Sequence, residues 1–426
     1  MEKFDVIIIG AGLAGLSAAY TLAQEGLEVL VLERGDYPGA KNVTGGRIYI
    51  NPVKNLFPDL FADAPFERFI AHEGITIMAE ERSIGISYDG NELREKPYQS
   101  YTILRSKFDR WLAERAESQG AMLLCKVKVD DVIIENEKVV GVLAAGDELH
   151  ADIVIACDGV LSLTAEKAGL RQAGIARDYA VGFKEIIQIK PEIINERFNV
   201  EEDEGAAKMY MGEVTKGKFG GGFLYTNKDS ISLGLVIGIK DLMEGNIDAP
   251  SMLDEFKQRP EITPLIKGGE TVEYSAHAIP EGGYKALSSL YADGILVAGD
   301  AAGLAMNIGV TVRGMEYALA SGYYAAQAVL KAREKGDFNA ETLSVYKTLL
   351  EDSFVLRDFK NFQEAPMVLD NQRFYQHYPE LLGNIMKDIY AIPDGSKDRL
   401  YPTIKQYLNM GEIWSMFGDL RKVMKI

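Results

Sequence analysis

The sequence predicts an α/β fold: a Rossmann-type domain carrying an inserted antiparallel-sheet domain, followed by a helical C-terminal segment. Three observations point there. The first thirty-three residues read as strand, glycine turn, helix, strand and acid. Apolar strand-like runs return at residues 151–156 and 294–298, each running into an acid–glycine turn. Between them, from about Tyr179, the pattern changes to long alternating strands.

Val6-Ile7-Ile8-Ile9 is a short β-branched run, as a strand buried on both faces requires. Gly10-Ala11-Gly12-Leu13-Ala14-Gly15 follows at once, then a helical pattern to Glu25 that Gly26 stops. Residues 28–32 read as the next strand, which ends on Glu33. This is the βαβ dinucleotide unit with all its parts. Gly10 allows the tight turn, Gly12 lets a pyrophosphate approach the backbone, and Gly15 lets helix and strand pack closely. Leu13 and Ala14 begin a helix whose unpaired N–H groups and partial positive charge suit phosphate. Glu33, eighteen residues past Gly15, is placed for ribose hydroxyls, with Arg34 beside it.

At 426 residues the chain can bury a large core and has room for two or three domains. It is 47% hydrophobic and 26% charged, the balance of an ordinary soluble protein. No apolar run reaches the roughly eighteen residues that a spanning helix needs, and the first residues enter a strand rather than a signal peptide. The expectation is a cytoplasmic protein, soluble or peripheral. A net charge of −17 argues against nucleic acid and means that contact with an anionic membrane needs a local basic patch. Cys125 and Cys157 and the histidines His72, His150, His277 and His377 show no ligand spacing, so no metal site is expected. An iron–sulfur cubane needs about four thiolates, more than this chain holds.

Further along, Lys41-Asn42-Val43-Thr44-Gly45-Gly46-Arg47 sets two glycines beside a hydroxyl and cations, which suits backbone pressed against a phosphate or a flat ring. Residues 75–104 read as strands around an Asp89-Gly90 hairpin signal, an excursion into a second domain. Residues 105–119 return to helix with Phe108, Leu112 and Ala116 on one face. Residues 123–129 and 139–143 read as strands. Cys157-Asp158-Gly159 turns at the carboxyl end of the sheet, where ligands of open α/β sheets sit. Residues 180–189, 206–214, 219–226 and 230–238 fit an antiparallel sheet, and Gly220-Gly221-Gly222 marks a bulge or a close approach. After Gly299-Asp300 and Asn307-Ile308-Gly309, a long helix runs to about Lys335, and the rest is mostly helical.

Four motifs then line up: the glycine turn with Glu33, Arg105-x-x-Phe108-Asp109, Cys157-Asp158-Gly159, and Gly299-Asp300-Ala301-Ala302-Gly303. Together they resemble the FAD enzymes of the glutathione-reductase and p-hydroxybenzoate-hydroxylase group. The resemblance implies that Arg105 lies by the phosphates, Asp300 holds the ribityl chain or pyrophosphate, and Asp158 and Gly159 pack under the cofactor. It also implies that the backbone of Val129 meets the adenine. The helix after Asp300, with Asn307 and Gly309 at its start, would aim its positive end at the flavin edge that carries charge when reduced.

Rarer strings narrow the match. Lys41-Asn42-Val43-Thr44-Gly45-Gly46, Val181-Gly182-Phe183-Lys184-Glu185, Thr311-Val312-Arg313-Gly314-Met315 and Ser353-Phe354-Val355-Leu356-Arg357-Asp358 resemble the FixC branch of the electron-transfer-flavoprotein:quinone oxidoreductases, relatives of the geranylgeranyl reductases. That resemblance implies electrons passing from reduced electron-transfer flavoprotein through FAD to a quinone, with any iron–sulfur cluster in a separate ferredoxin-like protein. It divides the chain into an FAD-binding domain (residues 1–74, 105–178 and 290–345), a quinone domain (75–104 and 179–289) and a helical C-terminal segment (346–426). Phe219, Phe223 and Tyr225 are candidate quinone linings. Electron transfer needs no acid–base constellation, so no catalytic side chain is assigned. Apolar faces at Leu381, Leu382, Ile385, Met386 and Ile389, and at Ile413, Met416, Phe417, Leu420 and Val423, could meet the cytoplasmic face of a membrane, a partner or the protein's own body. The alternatives are an NAD(P)H-dependent reductase of isoprenoid double bonds, a flavin monooxygenase, and, more distantly, a non-catalytic flavin-bearing scaffold.

Overall fold

The structure, a computed structural model, describes residues 3–42, 45–172, 174–245 and 248–426. β1 (Lys3–Ile9), α1 (Leu13–Gln24) and β2 (Val29–Glu33) open it. All of β2 and the last four residues of β1 are buried, because parallel strands between helical layers lose both faces to the core. The chain then leaves for a second sheet with β3 (Gly46–Tyr49), β4 (Phe69–Met78), β5 (Ser83–Asp89) and β6 (Ser100–Ile103). α2 (Arg105–Ser118) brings it back, burying Phe108, Leu112 and Ala116 at helical spacing. β7 (Met122–Cys125), β8 (Val129–Glu135), β9 (Lys138–Ala144) and β10 (Asp147–Ala156) extend the first sheet. After α3 (Leu163–Lys167), a second departure builds β11 (Tyr179–Gln188), β12 (Glu204–Gly212), β13 (Gly220–Thr226), β14 (Ser230–Gly238) and β15 (Glu270–Pro280). β16 (Tyr291–Ala292) and β17 (Ile295–Val297) return to the first sheet.

Among the described residues the first sheet has eight strands, ordered β16-β17-β10-β1-β2-β7, with β9 on β10 and β8 on β9. β1 runs parallel to both β2 and β10, Ile7 lying opposite Leu30 and Val154. The second sheet has nine, β15-β11-β14-β13-β12-β4-β6-β3, with β5 on β4. It is antiparallel except where β12 runs parallel to β4, Met209 opposite Ile75. Each departure builds its own antiparallel block, and the two blocks meet side by side at that seam.

Several local expectations change. The second sheet takes strands from before residue 75, since β4 begins at Phe69 and β3 at Gly46. The hairpin turn is not at Asp89-Gly90. β4 and β5 are joined across residues 79–82, where the Ala79 N–H donates to the Arg82 carbonyl at 2.8 Å, and Gly90 instead leads into a 3₁₀ turn over Asn91–Arg94. An Asp-Gly pair serves either kind of turn. Residues 123–129 are not one strand, because Lys126 takes a left-handed conformation between β7 and β8. β15 is an additional strand at the sheet edge, with Val272 and Tyr274 exposed on it.

The long helix Met315–Lys335 packs on α1, burying Leu319, Gly322, Ala326 and Val329. Gly322 is the point of closest approach, where a Cβ would collide with the carbonyl oxygen of Ala14. Ser17 closes the contact, its hydroxyl donating to the Leu319 carbonyl at 2.9 Å. The C-terminal segment is helical, but its first part is core: Tyr346, Leu350, Val355 and Phe359 are buried with the first domain, and the Tyr346 hydroxyl donates to the Val297 carbonyl at 3.1 Å. A boundary at 346 therefore falls inside a packed unit. Two of the quoted strings meet here, since Arg313 donates to Asp358 at 2.7 Å and the Tyr317 hydroxyl to the same carboxylate at 2.8 Å.

Gly322→Val is expected to cost about 1–3 kcal/mol through overpacking, read as a lower thermal unfolding midpoint. An unchanged midpoint would mean that the two helices do not touch as described.

Candidate functional site

The strands of an open α/β sheet direct their carboxyl ends to one edge, and ligands collect there. At that edge lies a cavity of about 800 Å³ that continues along the second sheet and reaches the C-terminal helices. Gly10, Gly12, Leu13, Ala14, Glu33, Arg34, Gly45, Gly46, Arg105, Val129, Asp158, Gly159, Gly299, Asp300, Asn307 and Gly309 all line it. Gly15 does not; it presses α1 onto the end of β1, beside Ile8. Thr44 lies outside the described residues.

The glycine turn is forced by its neighbours. Gly10 has φ +101°, and a Cβ there would collide with the carbonyl of Cys157 at the end of β10. At Gly12 a Cβ would meet nothing, so the backbone faces open space where a phosphate can approach. The Glu33 carboxylate accepts from the N–H of Ala11 at 2.9 Å and of Gly35 at 2.6 Å, tying the turn to the end of β2. A carboxylate has about four acceptor sites, so Glu33 keeps capacity for a hydroxyl donor.

Arg105 is aimed by its i+4 partner. Its guanidinium donates to both oxygens of Asp109, at 2.7 and 2.8 Å, and the Asn42 side-chain amide donates to the same carboxylate at 2.7 Å. Burial pulls the Arg105 guanidinium down, and the Asp109 and Asp300 carboxylates more than offset it. Burial raises Asp300, with Arg105 opposing. Asp158 lines the cavity but also caps α3, accepting from the Thr164 N–H at 3.0 Å; burial raises its carboxyl against that bond.

Sequence reasoning missed three lining residues. Lys184, on β11, donates to the Gly45 carbonyl and so ties the second sheet to the cofactor-facing loop. Burial, then the charge of Arg105, brings its ammonium down to about 7, against an opposing pull from Glu273. His277, on the adjoining β15, is lowered by burial and by Arg105, Arg34 and Lys184. Glu281 follows β15 directly. For Lys184 the readable signal was a charged pair, Lys184-Glu185, in the middle of a mostly apolar and buried strand, where Lys is rarely tolerated without a task.

Two further expectations are adjusted. Asn307 and Gly309 are not at the start of the long helix, which begins at Met315. They belong to a two-stranded ribbon, β18 (Met306–Asn307) and β19 (Val312–Arg313), and its connecting loop. The glycines and short strands before Met315 hold the chain extended, so the helix cannot start sooner. Of the candidate aromatic linings, Phe223 and Tyr225 form cavity wall, stacked on each other at 5.3 Å. Phe219 sits off the wall, edge-on to Tyr375.

A glycine turn with an open phosphate-facing backbone, cations from both sheets and buried carboxylates define a dinucleotide-binding protein of the Rossmann type. The comparisons agree. Residues 3–206 match the family described as FAD binding domain, and residues 179–279 the family described as ETF-QO, ubiquinone-binding. Protein FixC of Escherichia coli is 46% identical over 94% of this chain and 93% of its own length. The probable electron transfer flavoprotein-quinone oxidoreductase YdiS of the same organism is 44% identical over 93% and 92%. Protein FixC of Azorhizobium caulinodans is 37% identical over 98% and 97%. The chain belongs to the FixC/electron transfer flavoprotein-quinone oxidoreductase family, and its cofactor is FAD. In fold it is similar to a geranylgeranyl bacteriochlorophyll reductase-like protein from Thermoplasma acidophilum, with a TM-score of 0.74 and 23% identity over 99% of this chain and 100% of the other.

An anion in the cavity favours the charged forms of Lys184 and His277. At a pH just above 7 the Lys184 amine, brought down to about 7, is mostly neutral before the dinucleotide arrives. FAD binding there is expected to take up protons, seen as buffer-dependent heats in calorimetric titration, and Lys184→Met should remove most of the uptake. Heats independent of buffer in the wild type would reject this.

Proposed function

We propose that this chain passes electrons from reduced electron-transfer flavoprotein through its FAD to a membrane quinone. The observation that carries the reading is the continuity of one cavity. It runs from the glycine turn of the first sheet to Gly220–Gly222, Phe223 and Tyr225 of the second, within the residues that match a ubiquinone-binding family. A quinone headgroup asks for a largely apolar slot with a few polar groups, and this wall offers one beside the cofactor site.

In that reading FAD supplies the electron-carrying ring, and the protein supplies binding and placement. Gly10, Gly12, Leu13 and Ala14 would face the pyrophosphate, with Gly15 holding the turn in place. Glu33 and Arg34 would meet the adenosine side, and Val129 the adenine. Arg105 would face the phosphates, Asp300 with Gly299 the ribityl chain, and Asp158 and Gly159 would lie beneath. Gly45 and Gly46 would press on the ring, and Asn307 and Gly309 would reach its polar edge. With two cysteines the chain cannot build a cubane cluster, so any cluster in the electron route would come from a separate ferredoxin-like protein.

The membrane side of the proposal rests on the terminal helix, Met410–Val423, whose amphipathicity is inverted. Its polar side faces inward: Glu412 and Asp419 both grip Arg373, and Asp419 also accepts from Asn371 at 2.9 Å and from the Tyr378 hydroxyl at 2.7 Å. Its apolar side faces out, with Trp414 69% and Phe417 60% exposed beside Ile413 and Leu420. Arg421, Lys422 and Lys425 stand next to them. Val423 and Ile426 line the cavity, so its mouth lies beside this face. The other apolar face is largely taken up by the body, since Leu381 is buried and Ile385, Met386 and Ile389 are half-buried on the helix His377–Tyr390, which packs on β4 and β5. Among the described residues no helix is long and apolar enough to cross a membrane. The proposal is a peripheral protein on the cytoplasmic face.

The electron route is tested by anaerobic flavin absorbance. Reduced electron-transfer flavoprotein, with or without the ferredoxin-like protein, should bleach the flavin band, and added quinone should restore it. Rapid bleaching by NADPH instead would place the chain among the flavin reductases or monooxygenases. For the membrane, Trp414→Ser with Phe417→Ser should weaken co-sedimentation with anionic vesicles at least tenfold, given about 1.5–3 kcal/mol for each large apolar side chain. Unchanged sedimentation of a folded double variant would sink the membrane role of this helix.

A further inference from the structure

We infer that Glu281 is the acid that hands the quinone one of its two protons as it is reduced. The inference rests on the quinone reading above. Glu281 lies at the end of β15, immediately after Pro280, and its side chain lines the same cavity as the aromatic wall. Its position is set from two sides. Its backbone N–H donates to the Asp178 carbonyl at 2.8 Å, and the Asn307 side chain acts on its carboxyl from the other side. The Asn307 side-chain oxygen already accepts the Gly309 N–H at 2.8 Å, so its amide N–H₂ is the end left to donate to Glu281.

The surroundings keep that proton in place. Burial raises the Glu281 carboxyl to about 8, although the Asn307 bond pulls the other way, so the group is a neutral acid at pH 7. The titratable group facing it from the C-terminal segment is Tyr375, itself raised by burial and then by Glu281, Asp370 and Asp241. From the turn before β11, Asp178 packs against the adjoining Gly282.

The step balances. With FAD bound, the reduced cofactor would supply two electrons and one proton. The Glu281 O–H bond would break as the quinone's second O–H bond forms, so quinone plus two electrons and two protons gives quinol. Glu281, left as the carboxylate, would take a proton back from water in the cavity.

The test uses holoenzyme with photoreduced flavin, mixed anaerobically with a short-chain ubiquinone or with ferricenium, which accepts electrons without protons. In Glu281→Gln the ratio of quinone to ferricenium rates should fall roughly 100-fold, the scale of a lost general acid. In the wild type the quinone rate should fall as pH rises past about 8, and the variant should lose that dependence. Glu281→Asp, which keeps an acid, should recover part of the rate. A ratio and pH profile unchanged in Glu281→Gln, or equal losses in Gln and Asp with the pH profile intact, would overturn the inference. A second readout needs no turnover. Because the folded carboxyl holds a proton that the unfolded chain loses from its ordinary value upward, wild-type melting should fall relative to Glu281→Gln as pH rises to about 8. A constant difference also overturns it. A wild-type protein whose reduced flavin no quinone oxidises removes the quinone reading itself, and the proton role with it, while the melting difference still reports the acid.

Discussion

The glycine turn and the first turn of α1 are gripped by three stretches of backbone that lie far apart in the chain. Gly10 passes against the carbonyl of Cys157, Gly322 rests on the carbonyl of Ala14, and Gly299 brings its turn to the methyl of Ala14. Each approach needs a residue with no side chain. Interiors are packed too densely to absorb an added methyl without movement. The spacing among the ends of β1, β10 and β17 is therefore set by contact, and the floor of the cavity with it. The anion-facing N–H groups, the Glu33 tie and the placement of Asp300 all depend on that spacing.

This dependence explains what could be read from sequence. The glycine turn and Glu33 were exposed by spacing; the Arg105–Asp109 pair, the Asp158 turn and Gly299-Asp300 are short local motifs, and the resemblance to a known group brought them out. The long helix and α2 were legible because their apolar residues recur at helical spacing. The second sheet was harder. Its strands were visible as alternation, but the parallel seam between β4 and β12 joins residues about 130 apart and leaves no local mark. Lys184, His277 and Glu281 escaped for the same reason. Nothing near Lys184 in sequence announces that Gly45 and Arg105 will stand beside it.

The terminal helix shows a different limit. Its periodicity was plain, but period alone cannot say which side faces in. Ordinarily the apolar stripe does. Here Glu412 and Asp419 hold the helix to Arg373, with Tyr378 and Asn371 completing the grip, and the aromatic side is left outside. The same helix end contributes to the cavity mouth.

The electrostatics of the cavity complete the argument. The chain carries a net charge of −17, yet Arg34, Arg105, Lys184 and His277 converge on one stretch of wall. Burial and mutual repulsion push Lys184 and His277 toward their neutral forms, while Asp300 is pushed toward its own. The cations would be better off with an anion nearby, and Asp300 with water or a hydroxyl donor restored. A dinucleotide pyrophosphate relieves the cations at once. Because it binds only the folded chain, it also adds stability, about 2.7 kcal/mol at a hundred times its dissociation constant. The acidic surface repels anions in general, and the cavity gathers the one whose shape reaches its floor. Just past the end of the strand that carries His277, Glu281 is raised by burial. One cavity is tuned in opposite senses, in one part to hold negative charge and in another to release a proton.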